Sequence, residues 1–259
     1  MTKPFLLTTS WDDGHPLDFR VAELLAKYNL RGTFYIPMEA EGKVMGANEI
    51  RQLSATFEVG AHTLHHIELP KVTDVVAQAE VNDSRQWLEQ ITGKPIPMFC
   101  FPRGKYSSRH LTMVGQAGYR GARTVELMSL APPRRLDDLV LVHTTVQSYP
   151  HPAQHYLKNI VQRLALNNFL TYVAYGHRSN WVASAQSLLD ACSRSGGVFH
   201  LWGHSWEIDQ FSQWQQLEEA LHLMSEFGSL GHLVTNAEVC CYAGKPKDDP
   251  EGNSDQEVI

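Results

Sequence analysis

Disulfide chemistry, a membrane span and a basic face are all missing from this sequence. Its four cysteines, Cys100, Cys192, Cys240 and Cys241, form no Cys-x-x-Cys pair. Neighbours such as Cys240 and Cys241 rarely bridge each other, so the expectation is reduced thiols in a cytoplasmic protein. No stretch approaches the roughly 18 apolar residues that a membrane-spanning helix needs. The opening Met-Thr-Lys-Pro runs straight into a strand-like segment, with no basic stretch followed by a long apolar one, and no signal peptide is expected. Positive charge is in deficit: 22 Lys and Arg against 28 Asp and Glu leave a net charge of −6. That balance argues against a nucleic-acid partner, which would require a basic face. Repeats and linkers are absent as well. One domain over residues 1–243 is the expectation, with residues 244–259, rich in Lys, Asp, Pro, Glu, Gly and Ser, as a disordered tail.

What remains is a chain of 259 residues that is 43% hydrophobic, enough for one large core. Short apolar runs alternate with helix-period segments along its length. Phe5–Thr9, Thr33–Ile36, Phe57–Ala61, Met98–Phe101, Tyr119–Arg123, Leu139–His143, Val198–Trp202 and a stretch near His232–Thr235 are strand candidates. Between them, Val21, Leu24, Leu25 and Tyr28 make one helical face, and Thr73 caps a long helix that Gly93 stops. Further helices are expected over 153–166 and 183–193, and Trp214, Leu217, Leu221, Met224 and Phe227 mark another. This alternation predicts parallel βαβ units, and it favours an α/β barrel over an open sheet.

Thirteen histidines is a high count for this length, and the polar clusters fall in telling places. Asp12-Asp13, His62-Thr63-Leu64-His65-His66, Pro102-Arg103-Gly104 and His204 each lie just past the C-terminal end of an expected strand. In a parallel barrel that face carries the active site. Two adjacent carboxylates ending a hydrophobic strand require compensation, either as a turn and helix cap or by a cation. His62 and His66 are four residues apart, which on a helical turn puts both imidazoles on one face, as in His-x-x-x-His metal sites. His65 would point about 100° away. Two histidines and one aspartate leave coordination positions open, as catalytic metal sites do. The second carboxylate then suits a general base, and His204 or His200, from a distant strand end, suits a general acid.

These residues resemble the motifs of the polysaccharide deacetylase family, carbohydrate esterase family four, which shares the nodulation-deacetylase homology domain. Thr9-Ser10-Trp11-Asp12-Asp13-Gly14 is similar to its first motif, Thr-Phe-Asp-Asp-Gly. His62 to His66 is similar to its second, His-Ser/Thr-x-x-His, and Phe101-Pro102-Arg103-Gly104 to part of its third. His204-Ser205-Trp206-Glu207-Ile208-Asp209 resembles the His-Pro-Trp-Glu form of its last.

The resemblance implies a deformed (β/α)7 barrel and metal-dependent removal of acyl groups, commonly with zinc, and with cobalt or nickel as substitutes. It implies Asp12 as base, Asp13, His62 and His66 as metal ligands, the Arg103 N–H as an oxyanion donor and His204 as acid. One departure stands out. Cys100 occupies the position of the arginine that steadies the catalytic aspartate in many members. Arg103, at the usual Tyr position, is a candidate contact for an anionic substrate. Trp202 and Trp206 are candidates for stacking on a sugar ring, while His15, His143 and His177 are expected to be structural or substrate contacts.

The functional expectation is a cytoplasmic deacetylase acting on an N-acetylated sugar: a nucleotide-sugar, a lipid-linked sugar or a short glycan, without nucleic-acid or membrane-spanning partners. The alternatives are hydrolysis of a formamide or cyclic amide on the same scaffold, and a non-catalytic carbohydrate-binding relative.

Overall fold

The strand candidates come together in a computed structural model that describes residues 4–162, 165–175 and 180–244. Ten strands are present among these residues: β1 (Phe5–Trp11), β2 (Thr33–Ile36), β3 (Glu58–Ala61), β4 (Met98–Cys100), β5 (Gly121–Arg123), β6 (Arg134–Leu136), β7 (Leu139–Val142), β8 (Val146–Gln147), β9 (Gly197–Gly203) and β10 (His232–Leu233). The run β5-β4-β3-β2-β1-β9 is parallel throughout. Its two ends are joined by a single bent stretch of chain. As β7 this stretch lies parallel to β5, and after His143–Thr145 it lies parallel to β9 as β8. Counting β7 and β8 as one, seven staves go round, and the expected deformed (β/α)7 barrel is the fold. β6 hangs antiparallel on β7, and β10 adds to the start of β1.

Alternation along each strand decides what the barrel holds, because successive side chains point to opposite faces. Phe5, Leu7, Phe34, Phe99, Leu141, Phe199 and Leu201 belong to the large core shared with the helices. Leu6, Tyr35, Met98, Cys100, Val140, Val142 and Val198 form a second, separate cluster within the barrel. Space is tight there: a Cβ on Gly60 would come 2.5 Å from the Tyr35 ring, so only glycine fits. The N-terminal end of the barrel is plugged by the short helix Asn236–Val239. Asn236 Nδ2 donates to Thr8 Oγ1, and Tyr35 OH donates to Asn236 Oδ1. Half-buried Glu58 accepts hydrogen bonds from Thr33, Thr235 and the Ala237 N–H, which ties this plug to β3.

The long helix spans Asp74–Thr92, with Thr73 as N-cap and Gly93 in the left-handed conformation beyond it, as its sequence signals require. One expectation is corrected. The helix foreseen over 153–166 is two, Ala153–Gln162 and Leu166–Tyr175, and the second was not anticipated. The helix foreseen over 183–193 runs Trp181–Ser195. The foreseen tail lies, apart from Gly244, outside the described residues, as does His177. Among the described residues no helix is long and apolar enough to cross a membrane.

Candidate metal centre and its cleft

The inward-facing register that places Leu6 and Ser10 inside the barrel also places Asp12 inside, one step past β1. The same count takes Met98 to Cys100, Gly121 to Arg123, Gly60 to His62, and His200 through Trp202 to His204. The polar ends of five staves therefore meet at the C-terminal mouth, where a cleft of about 830 Å³ is lined by Asp12, Asp13, His62, His66, Arg103 and His204, among others.

Asp13 leaves the strand with φ 74°, and Gly14 follows at φ 59°. This reversal turns the Asp13 side chain towards β3. Its Oδ1 lies 3.6 Å from His62 Nε2 and 3.2 Å from His66 Nε2. One ligand atom from each of Asp13, His62 and His66 falls within 4.8 Å of the others. Asp13 Oδ1 is buried and makes no hydrogen bond among the described residues. A buried carboxylate oxygen without a donor, facing two ring nitrogens, fits a divalent cation. Burial works against charge on Asp13, but the two imidazoles outweigh it and hold its pKa well below the usual carboxylate range.

The two histidines do not meet as the sequence argument supposed. Residues 62–66 form no helical turn. Thr63 and His66 instead take left-handed backbone conformations, φ 57° and 51°, and these fold the loop so that the rings lie 5.0 Å apart. Such conformations persist only where surrounding contacts hold them. Glu80, buried on the long helix, supplies the contacts: its carboxylate accepts from the N–H groups of Leu64 and His65 and bonds His65 Nδ1 at 2.6 Å. His65 is thereby turned from the centre. His62 Nδ1 donates to the Cys100 carbonyl at 2.8 Å, which leaves Nε2 as the free lone pair. Trp206 Nε1 donates to Asp13 Oδ2 at 2.9 Å, so this indole orients the carboxylate.

Asp12 is held differently. Its Oδ1 pairs with Arg123, which is fully buried at the end of β5, and the Cys100 thiol lies 3.9 Å from its Oδ2. The guanidinium also sits over the rings of Trp202, at 4.7 Å, and Tyr35, at 5.3 Å. The arginine missing at position 100 thus has its counterpart one stave further round. Asp12, His62 and Cys100 also form a close group, but burial pushes the Cys100 thiol well above its usual pKa and disfavours the thiolate that a metal needs.

His204 lines the cleft with Nε2 3.9 Å from Asp13 Oδ2, while its Nδ1 bonds Glu207 at 2.5 Å. Burial alone would depress its pKa, but the Glu207 hydrogen bond and the charges of Asp13 and Asp12 raise it to about 9. His200 is fully buried and has both ring nitrogens engaged, Nε2 with Ser10 Oγ at 2.9 Å and Nδ1 with the His143 carbonyl at 2.8 Å. Burial pushes its pKa down to about 3. Arg103 has φ 55° and its N–H sits in the short turn Pro102–Gly104; its side chain pairs with Glu41 at 3.2 Å and Glu68 at 3.6 Å. His15 lines the cleft, and His143 bonds Thr124 Oγ1 at 3.0 Å.

Sequence reasoning overlooked Arg123, Glu207 and Glu80 as parts of the site. Arg123 did carry a signal, a charged residue closing a short strand at the same barrel face as the other clusters.

Fold and site together define a class: a parallel α/β barrel with an Asp-His-His cluster and a second, arginine-held aspartate at its mouth. Residues 2–122 match the family model described as polysaccharide deacetylase, so this stretch of the chain is similar to that family. A curated relative from Bacillus subtilis, assigned as a polysaccharide deacetylase, is 22% identical over 121 residues. That match covers 45% of this chain and 43% of the relative, so the chain spans less than half of the relative's length. Among solved structures, a Mycobacterium smegmatis protein assigned to the polysaccharide deacetylases superposes with a TM-score of 0.68 at 12% identity, covering 96% of this chain and 95% of its own. The chitin deacetylase of Colletotrichum lindemuthianum superposes with a TM-score of 0.58 at 16% identity, over 92% and 88%. At these identities the likeness is one of fold, and it extends past the matched family stretch, which stops one residue before Arg123.

Proposed function

We propose that the protein is a metal-dependent hydrolase that removes the acetyl group from the nitrogen of an amino-sugar substrate. The observation that carries this reading is the convergence of Asp13, His62 and His66 at one cleft, beside the carboxylate of Asp12 and the imidazole of His204. Two imidazoles and a carboxylate suit zinc, with cobalt or nickel as substitutes. A divalent ion bound there supplies a water of lowered pKa and a Lewis acid for the acyl oxygen.

The protein's own groups handle the protons. Asp12, fixed by Arg123, takes the proton of the attacking water. The Arg103 N–H donates to the acyl oxygen as negative charge develops on it. His204, its Nδ1 committed to Glu207, presents Nε2 to the departing amine. Against its burial, the Glu207 hydrogen bond raises its pKa and favours the protonated form that a general acid needs.

The test is release of acetate from a panel of acetamido sugars, free, oligomeric and nucleotide-linked, by zinc- or cobalt-loaded protein. Acetate release that disappears in Asp12→Asn, with metal still bound, is the expected result. Absence of acetate from every substrate overturns the reading, and release of formate from N-formyl sugars would redirect it to a deformylase.

A further inference from the structure

We infer that the substrate carries a phosphate near its scissile acetamido group, received by Lys43, Lys105 and Lys158 at the mouth of the cleft. The inference rests on the proposed reaction only for the sugar; the phosphate-binding surface stands on its own observations.

The three lysines arrive from separate places: Lys43 from the loop after β2, Lys105 from the turn after β4 and Lys158 from the helix Ala153–Gln162 after β8. All three line the same cleft and are exposed. None has an ion-pair partner among the described residues. The carboxylates that line the cleft do have partners. Asp12 has Arg123, Asp13 faces the imidazoles of His62 and His66, Glu207 has His204 and Glu41 has Arg103. The cleft therefore ends in three uncompensated positive charges, although the chain as a whole carries −6.

Burial lowers the pKa of His15 and of His155, and the charges of Lys43 and Lys158 add to that effect; both histidines line the cleft. Like charges gathered round a concave opening focus potential and favour a multiply charged anion. A phosphate ester or diphosphate, with about two negative charges, matches several ammonium groups better than a single carboxylate does, and lysine binds phosphate as a point charge. A neutral glycan would instead require flat aromatic platforms. Of the large aromatics that line the cleft, Phe101 and Trp202 are buried; Trp206, exposed and with its N–H engaged by Asp13, offers a single ring face against three lysines.

Equilibrium dialysis of zinc-loaded protein against N-acetylglucosamine, its 1-phosphate and neutral chitotetraose tests the inference. The phosphate form should bind at least about ten-fold more tightly than either neutral sugar, the size expected when several partly exposed charge pairs add. That advantage should shrink between about 0.05 and 0.3 M salt and should fall to about two-fold or less in Lys43→Gln/Lys105→Gln/Lys158→Gln, whose changes are all at exposed positions. The same sugar linked through diphosphate to uridine or to a short isoprenoid alcohol separates a nucleotide source from a lipid one. Equal binding of charged and neutral sugars, tighter binding of chitotetraose, or an advantage that survives the triple substitution would overturn the inference. Acetate is measured in the same samples: a binding preference without any acetate release defeats the proposed reaction and leaves the phosphate site standing.

Discussion

Replacing Arg123 by Met removes the guanidinium and leaves Asp12 charged, unpaired and 3% exposed. Breaking a buried ion pair from one side costs about 3–5 kcal/mol, because the remaining charge has lost its compensation. Against a typical domain stability of about 5–15 kcal/mol the loss should be plain in a urea melt. Turnover should fall by roughly 10²–10⁴, the usual contribution of a positioned general base, while zinc stays bound, because Asp13, His62 and His66 are untouched.

Two further variants distinguish pairing from packing. Asp12→Asn/Arg123→Met contains neither charge and should be more stable than Arg123→Met by several kcal/mol, still without activity. Cys100→Arg/Arg123→Met offers a guanidinium from the next stave, where the Cys100 sulfur already lies 3.9 Å from Asp12 Oδ2, and should restore part of the turnover. The reasoning fails if Arg123→Met unfolds at the wild-type urea concentration with turnover intact. It fails equally if the double charge removal is no more stable than the single, since Arg123 would then serve only as packing between Tyr35 and Trp202.

Glu207→Gln removes the carboxylate that favours the His204 imidazolium, so the His204 pKa should fall from about 9 towards its ordinary 6.5. The alkaline limb of the pH–rate profile should move down with it, and an unmoved limb would exclude His204 as the acid. Glu80→Ala releases the loop that presents His62 and His66; zinc affinity should fall about 10–100-fold, as for other outer-shell partners, measured by competition with a chromophoric chelator. His200 accounts for part of the acid sensitivity. Its folded pKa near 3 lies below the unfolded 6.5, so the unfolded chain binds the extra proton. Stability is then full above about pH 6.5 and declines as pH falls towards 3, by up to about 1.4 kcal/mol per pH unit. His200→Gln should flatten the slope of urea stability between pH 6.5 and 5 relative to wild type, and an unchanged slope would show that His200 protonates freely in the fold.

How much of this could be read from sequence depends on how far apart the cooperating atoms lie along the chain. Asp12-Asp13 announced itself locally, since two carboxylates at the end of an apolar strand require compensation wherever they fold. The long helix was equally legible, because Thr73 and Gly93 act on backbone groups within one turn. The spacing of His62 and His66 pointed to proximity but not to its cause. A helical turn was the economical guess, whereas left-handed Thr63 and His66, held by Glu80, give the actual approach, and nothing local to residues 62–66 names Glu80.

Arg123 lies further still from such reasoning. Its partner is 111 positions earlier in the chain, and only closure of the barrel makes the two adjacent. The closure itself depends on a stretch, 139–147, that pairs with β5 at one end and β9 at the other, too short at each contact to show a period of its own. Yet one rule covers the whole constellation. Every second residue of a stave points inward, so the last inward position of β1, β3, β4, β5 and β9 falls at Asp12, His62, Cys100, Arg123 and His204. Where an arginine moves from the end of β4 to the end of β5, its head still arrives above the same barrel axis. A buried aspartate can therefore keep its cation while the cation changes strands, and a lone inward arginine at a strand end is the sequence signal to look for when the usual one is missing.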